Sequence, residues 1–310
     1  QLYSREVGSN DWDEVDHPSG YREGHTLDIV NVGGTIYAAF FDHDDADGAV
    51  FTLDTANDKW TKVWSQPSGA EEIMRLIGIN ETPEGDSQAE ELYAVVRTDD
   101  AEYDVYHVDG TTGTRVIEEA SEVIDGAYVD DFDDSDNERY ALLTASTFYL
   151  SGTADGSFDA YDPTDAQAGG MPSDATNFGG IWTENADSIY VSSKNGRVYR
   201  WDGSWSHTDQ NDDRQYLGGA VFDFTGSGGE EGVVVGLDTQ DESSGGYYEV
   251  DSSLGTSRPD GNNYSAAELS GSVVHSFFVD VNNDTLFALT NGHGLWSTDY
   301  DTAEPEWRWE

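Results

Sequence analysis

The sequence predicts an all-β repeat fold, and three observations support this prediction. A short apolar segment recurs along the chain, a turn with Gly or Asp follows each copy, and a second apolar segment with an aromatic residue follows each turn. Helical periodicity is nearly absent, which argues against a helical repeat. The copies start at Ile36, Leu92, Tyr140, Ile189, Val233 and Leu286, so successive starts lie 44 to 56 residues apart. A repeat of this length built from short strands is typical of a β-propeller blade.

Each repeat supplies about four short strands. A stretch such as Leu27–Val30 or Ile73–Ile77 comes first, and a strand with Trp closes several units. Such a unit cannot bury both of its faces alone, so stacking units around a ring provides the core. The central hairpins join Ile36–Phe40 to Val50–Leu53, Leu92–Val96 to Val105–Val108, Tyr140–Leu143 to Phe148–Leu150, Ile189–Ser192 to Val198–Trp201, Val233–Gly236 to Tyr247–Val250, and Leu286–Leu289 to Leu295–Ser297.

The number of repeats predicts one domain over residues 1–310 with six four-stranded antiparallel blades in residues 25–310. Residues 1–16 add an outer hairpin, because Leu2–Arg5 and Trp12–Val15 have the pattern of paired strands without inner strands before them. A seventh blade stays open as an alternative. Its inner pair would lie in residues 16–26 or 252–272, or upstream of Gln1.

The charge balance predicts life in concentrated salt. Sixty-three Asp and Glu face fourteen Lys and Arg, which gives a net charge of −49, and only three residues are lysines. In dilute buffer the carboxylates would repel one another strongly, whereas about 1 M salt shortens the Debye length to about 3 Å. We expect a halophilic archaeon or its virus as the source, and we expect high salt to be required for stability.

Composition also excludes several classes of protein and of binding site. Aromatic residues make up 12% of the chain, which supplies core material that a disordered protein lacks. Without a basic patch, nucleic acid is not expected as a partner. The absence of cysteine excludes disulfides and thiolate metal sites, and no apolar run reaches the roughly 18 residues that a transmembrane helix needs.

Several segments resemble known propeller repeats. Residues 25 to 64, with Gly33, Gly34, Tyr37 and Trp60, look like a kelch unit. The segments LYSREVGSNDW and FTLDTANDKW are similar to the Asp-box of sialidase-type propellers, with one extra residue in each turn. The segments VDDFDDSDNERYALLTAS, VFDFTGSGGEEGVVVG and VDVNNDTLFALTNG are similar to the FG-GAP repeats of integrin-type propellers. These resemblances imply the architecture and carry no catalytic or receptor role.

The three FG-GAP-like loops are candidate calcium sites. Alternating oxygen-bearing side chains are what a calcium loop requires. Position nine, where an acid is usual, holds Arg139 and Ala288 in the first and third loops, so solvated acidic turns produced by salt adaptation are the alternative. The candidate ligands are Asp131, Asp133 and Ser135 in the first loop, Asp223, Thr225, Ser227 and Glu231 in the second, and Asp280, Asn282 and Asp284 in the third.

Aromatic residues and one histidine are candidate ligand contacts. Trp182, Trp201 and Trp296 depart from the closing-strand pattern, and aromatic faces bind sugar rings and cations. The alternative is packing between blades, which we expect for Trp12, Trp60, Trp205 and Trp307. His293 lies in a tight turn, NGHGLW, where a loop tip could present it. No HExxH or His-x-His pattern predicts zinc.

Function is predicted as recognition or structural display without catalysis. No GxSxG, P-loop or GxGxxG motif is present, so no catalytic residue and no organic cofactor are predicted. We expect a protein or glycan partner at a propeller face, within a larger assembly on a halophilic cell surface or virion, for host attachment or surface decoration. Two alternatives stay open: a secreted carbohydrate-active enzyme of the sialidase or lyase type, and an intracellular scaffold.

Overall fold

The structure is a computed structural model that describes most of the chain. The described residues are 2–4, 11, 13–19, 21, 25–42, 47–70, 72–79, 90–99, 102–129, 140–161, 171, 175–185, 188–209, 214–223, 231–238, 246–251, 254–257, 269, 272–280, 285–291, 294–299 and 307–309. In these ranges, no helix is long and apolar enough to cross a membrane.

The fold is a β-propeller of six blades, as the sequence predicts, and every blade is a four-stranded antiparallel sheet whose strands are adjacent in chain order. In addition, β1 (Leu2–Ser4) and β2 (Asp13–Val15) form a two-stranded sheet. Blade 1 consists of β3 (His25–Val32), β4 (Thr35–Asp42), β5 (Asp47–Asp54) and β6 (Lys59–Ser65). Blade 2 consists of β7 (Glu72–Ile79), β8 (Glu91–Asp99), β9 (Glu102–Asp109) and β10 (Thr112–Ala120). Blade 3 consists of β11 (Val123–Tyr128), β12 (Tyr140–Thr144), β13 (Phe148–Ser151) and β14 (Asp159–Tyr161).

The remaining strands form three more blades of the same kind. Blade 4 consists of β15 (Phe178–Asn185), β16 (Ser188–Ser193), β17 (Arg197–Trp201) and β18 (Trp205–His207). Blade 5 consists of β19 (Tyr216–Asp223), β20 (Glu231–Leu237), β21 (Tyr247–Val250) and β22 (Thr256–Ser257). Blade 6 consists of β23 (Val274–Asp280), β24 (Thr285–Thr290), β25 (Gly294–Asp299) and β26 (Arg308–Trp309). Within the segment 252–272, one place proposed for a seventh inner pair, Thr256–Ser257 form the fourth strand of blade 5, and most of the rest lies outside the described residues.

A β-bulge at the same place in the first strand of every blade is a structural repeat that the sequence does not reveal. One strand gains an extra residue there, which bends it and increases its twist. The register shifts lie between Thr26 and Asp28, Ile73 and Arg75, Val123 and Asp125, Phe178 and Gly180, Tyr216 and Gly219, and Val274 and Ser276.

The bulges also join neighbouring blades. The backbone N–H of Leu76 donates to the carboxylate of Asp28 at 2.9 Å, and burial raises the pKa of that carboxyl above its usual value. Arg75 likewise donates to the carbonyl of Ile124 at 3.1 Å. In blade 5 the bulge is glycine, and a Cβ at Gly218 would lie 2.8 Å from the carbonyl oxygen of His275. Blades 1 and 2, blades 2 and 3, and blades 5 and 6 therefore approach closely at their bulges.

The chain divides into two compact units, each with its own apolar clusters. The first contains residues 1–128, 138–144 and 149–160. Its buried aromatic residues include Tyr93 and Tyr128 between blades 2 and 3. In the same unit, an N-terminal segment covers one face of blade 1. On that face Trp60 packs on Phe40, and its Nε1 donates to the carbonyl of Asp16 at 2.7 Å. Along the strands of blade 2, successive apolar side chains belong alternately to the two clusters on either side, so both faces of this blade are buried.

The second unit contains residues 129–137, 145–148 and 161–310. Tyr216 and Val235 belong to the cluster between blades 4 and 5, and Tyr247 and Trp307 belong to the cluster between blades 5 and 6. Trp307 is buried and donates through Nε1 to the Tyr247 hydroxyl at 3.2 Å. The closing tryptophan of blade 6 therefore packs between blades, as its recurrence in the sequence predicts.

Candidate functional site

The predicted calcium loops all connect the first strand of a blade to the second. Asp223 ends β19 and lies opposite Glu231, which begins β20, and Asp280 ends β23. Within the described ranges, no group of three His, Asp or Glu side chains could hold a metal ion. Calcium binding stays a prediction for these loops, since the remaining candidates, Asp131, Asp133, Ser135, Thr225, Ser227, Asn282 and Asp284, lie outside the described residues.

The structure places two of the three candidate tryptophans in apolar cores. Trp182 is 9% exposed and stacks on Tyr190, with 5.9 Å between ring centroids. Trp201 is 3% exposed and contacts Trp205 edge-on. Trp296 is half-buried against the cluster between blades 5 and 6. This burial supports packing at Trp182 and Trp201 and gives their predicted ligand contact no support, and His293 lies outside the described residues.

Blade 4 carries a buried ion pair that connects to this stack. Glu184 Oε2 accepts from Nε of Arg200 at 2.9 Å and from the Ser188 hydroxyl at 2.6 Å, and it lies 2.8 Å from Nη2 of Arg200. The guanidinium also lies over the Tyr190 ring, 5.8 Å from its centroid. The side chain of Glu184 is only 6% exposed, so Arg200 is the cation that compensates its buried negative charge. The cluster is suited to holding the blade together.

Three other arginines that form ion pairs lie on blade 2 rather than together with Arg200. Arg75 and Arg97 contact Glu122 and Glu72, and Arg115 contacts Asp104. A sialidase-type site needs several arginines that converge on one substrate carboxylate. Among the described residues these arginines are instead engaged with local partners, so the enzyme alternative gains no support from them.

A face of blade 6 that the sequence did not single out is the strongest candidate site. Because residues opposite each other in antiparallel strands share a face, the register defines three rows on it. We call this surface the open face. Its first row is Ser276, Leu289 and Leu295, its second is Phe278, Phe287, Ser297 and Arg308, and its third is Asp280, Thr285 and Asp299.

The first two rows have an accessible apolar centre at Phe278 and Leu289, and the buried Ser297 and exposed Arg308 lie at its outer side. Phe278, on the first strand of the blade, is 59% exposed, and Leu289, on the second, is 50% exposed. Phe278 and Phe287 contact each other, with 6.1 Å between ring centroids. They line a groove of about 410 Å³ together with Leu295 and the neighbouring Ser276 and Phe277. Contiguous exposed apolar surface of this kind marks interaction sites.

The opposite face of the same blade is covered at its inner strands, whereas Trp309 at its outer edge is 71% exposed. Phe277 and Val279 of β23 and Trp296 of β25 pack against the cluster that contains Tyr247 and Trp307. The two faces of blade 6 therefore have similar apolar composition and different surroundings. The open face has a polar rim at the third row, where Asp280 is half-buried and Asp299 is exposed, and at its outer strand, where Arg308 is exposed. An apolar centre with a polar rim is the usual anatomy of a protein interface.

Sequence reasoning missed this face for a physical reason. A blade between two neighbours is apolar on both faces, so the residues of β23 and β24 resemble those of every other blade. In β16, for example, Ile189 and Val191 on one face and Tyr190 on the other are all buried. No signal in the sequence separates that pattern from the one in blade 6.

The comparisons with known proteins show the fold. No family model matches this chain, and no curated protein sequence matches it. The solved structure described as YCF48 bound to D1 peptide is similar, with a TM-score of 0.56 and 8% identity, over 92% of this chain and 80% of that chain. YCF48 from Cyanidioschyzon merolae is similar with a TM-score of 0.54 and 11% identity, over 96% of this chain and 88% of that chain. Both neighbours are propeller proteins.

Proposed function

We propose that this chain is a non-enzymatic recognition or structural display protein that binds a protein partner through the open face of blade 6. The observation that carries this proposal is the exposure of Phe278 and Leu289 in a chain whose mean hydropathy is −0.62. Full exposure of a large apolar side chain costs about 1.5–3 kcal/mol relative to burial, so these two half-exposed side chains each cost roughly half of that free energy. A partner that covers the groove recovers that free energy.

The setting that we propose is the surface of a halophilic cell or of a virion that infects one. The net charge of −49 supports concentrated salt as the working medium. Salt also favours contact through an apolar face, because it screens charge repulsion between the surfaces that approach. The similar protein YCF48, in the structure bound to D1 peptide, adds support for a polypeptide partner at a propeller surface.

Photocrosslinking at the open face tests the binding role. A benzoylphenylalanine at position 289, introduced into the full chain in 3 M KCl, should give one discrete crosslinked product with a native surface protein. The same reagent at Lys62, which is exposed on blade 1, should give none. The product should disappear when Phe278→Asp is added. A product that forms equally at both positions would contradict the proposal.

Surface labelling tests the location separately. A membrane-impermeant biotin reagent applied to intact source cells or particles in 3 M KCl should label the chain as efficiently as a known surface protein. Labelling only after lysis would place the chain inside and would contradict the display role.

A further inference from the structure

We infer that the open face binds an extended peptide segment of the partner in which two apolar side chains at positions i and i+2 are followed, or preceded, by Lys or Arg two residues further along. This inference rests on the proposed function and specifies the chemistry of its partner. It follows from the spacing of the three rows, from the size of the face and from the position of its charges.

The spacing of the rows matches an extended chain. Successive rows lie two residues apart along each strand, which is about 6.8 Å. Side chains at i, i+2 and i+4 of an extended peptide point the same way at the same spacing. A peptide that lies parallel to the strands therefore places one apolar side chain near Leu289 and Leu295 and the next near Phe278 and Phe287.

The charged residues of the face determine which side chain is favoured at the third position of the peptide. Its third side chain lies over Asp280 and Asp299, which belong to the third row, so a Lys or Arg there faces two carboxylates. Arg308 lies at the outer edge of the second row and disfavours a cation at that level. The row order apolar, apolar, acidic therefore selects both the sequence pattern and its register on the face.

The size of the face favours a peptide over a second copy of this chain. Four strands about 4.8 Å apart and three rows about 6.8 Å apart cover roughly 400 Å² once side-chain width is included. A stable interface between folded proteins buries about 800 Å² on each partner. The open face thus suits a segment of five to six residues and is about half the size that a symmetric dimer needs.

Peptide binding to the full chain tests this inference. Fluorescein-labelled Gly-Leu-Thr-Phe-Thr-Arg-Gly and its reverse-order counterpart are titrated in 1 M KCl by fluorescence anisotropy. We expect at least one order to bind, and we expect at least a tenfold weaker affinity for a peptide with Glu in place of Arg or with the two apolar residues replaced by Ser. Equal binding of the Arg and Glu peptides would overturn the charge assignment.

Variants of the protein locate the contact. Phe278→Ser and, independently, Leu289→Ser should each weaken binding at least tenfold, and both positions are exposed enough for the chain to keep its fold. The double variant Asp280→Asn with Asp299→Asn should weaken the Arg peptide three- to tenfold and leave the Ser-for-Arg peptide unchanged. Trp309→Ser is the matched control: this aromatic residue is 71% exposed on the same blade but belongs to the other face, so binding should persist.

The outcomes separate this inference from the proposed function. If neither peptide binds while crosslinking at position 289 still captures a partner, the peptide pattern is overturned and the binding role stands. If the chain sediments as a dimer that Phe278→Ser dissociates, the occupant is a second copy and the inference is overturned. If peptides do not bind and no crosslinked product forms, both fail.

Discussion

Removing Arg200 should destabilise this protein more than removing any of its exposed cations. After Arg200→Ala, the carboxylate of Glu184, whose side chain is 6% exposed, keeps two hydrogen-bond partners among the described residues, the hydroxyl groups of Ser188 at 2.6 Å and Tyr190 at 3.5 Å. An uncompensated buried charge of this kind costs about 3–5 kcal/mol, and losing the contact with the Tyr190 ring adds about 0.5–1 kcal/mol. We therefore expect a loss of about 4 kcal/mol in the free energy of unfolding.

Urea denaturation in KCl measures this loss, because urea leaves the ionic strength unchanged. Tryptophan fluorescence follows unfolding, and linear extrapolation gives the free energy in water. Lys194→Ala is the matched control, since the Lys194 side chain is 42% exposed, that of its partner Asp238 is 39% exposed, and the pair should contribute less than about 1 kcal/mol. The Arg200 effect should change little between 0.5 and 3 M KCl, because salt screens buried pairs weakly.

A double-mutant cycle identifies the cause. Glu184→Gln removes the charge that Arg200 neutralises, so adding Arg200→Ala to it should cost markedly less than Arg200→Ala alone. The difference should be about 2 kcal/mol or more. A loss below about 1 kcal/mol for Arg200→Ala, or a coupling near zero, would refute the view that Glu184 depends on Arg200.

Three further substitutions test packing and protonation. Gly179→Ala should cost several kcal/mol in unfolding experiments, because its Cβ would clash with the carbonyl oxygen of Tyr216 on the next blade, and an unchanged urea midpoint would contradict that close approach. Trp60→Phe removes the bond from Nε1 to the carbonyl of Asp16 and should cost about 0.5–1.5 kcal/mol; equal stability of the two proteins would show that the bond contributes nothing. Burial raises the pKa of Glu249 from 4.5 to about 7, so the folded state loses stability as pH rises through 7. After allowance for partial exposure, Glu249→Gln should be more stable than the parent by about 1–2 kcal/mol at pH 8 and nearly equal to it at pH 5. A gain of the same size at both pH values would contradict this reasoning.

The blades were predictable because their signals are local. Apolar strands, their turns and the spacing of their copies all lie within about 50 consecutive residues, so the six central hairpins and the strand at Glu72–Ile79 agree with the sequence prediction. Trp307 packs between blades 5 and 6 as expected, whereas Trp60 packs on Phe40 of its own blade and bonds to Asp16 of the N-terminal segment, and Trp12 lies outside the described residues. Repetition is informative because a unit cannot bury both of its faces alone, so every unit carries strands with the same apolar pattern.

The bulges and the Glu184–Arg200 pair could not be predicted from local sequence patterns. A bulge in the first strand changes the register by one residue. The extra residue is Met74 in blade 2, Gly179 in blade 4 and His275 in blade 6, so no residue type marks the bulge. Glu184 and Arg200 stand 16 residues apart on different strands. Among 63 acidic residues, only the fold selects those that become buried, such as Glu184 and Asp104.

The sequence by itself determined the fold class and favoured six blades over seven, because the repeats and their strand patterns are local properties of the chain. The tertiary structure decided the register at the bulges and which faces of the strands are covered. Trp182 and Trp201 were candidates for ligand contact and lie in the core, whereas Phe278 and Leu289 were counted as ordinary strand residues and are exposed. Burial depends on the neighbouring blade, and the neighbour of a face is set by the arrangement of distant parts of the chain.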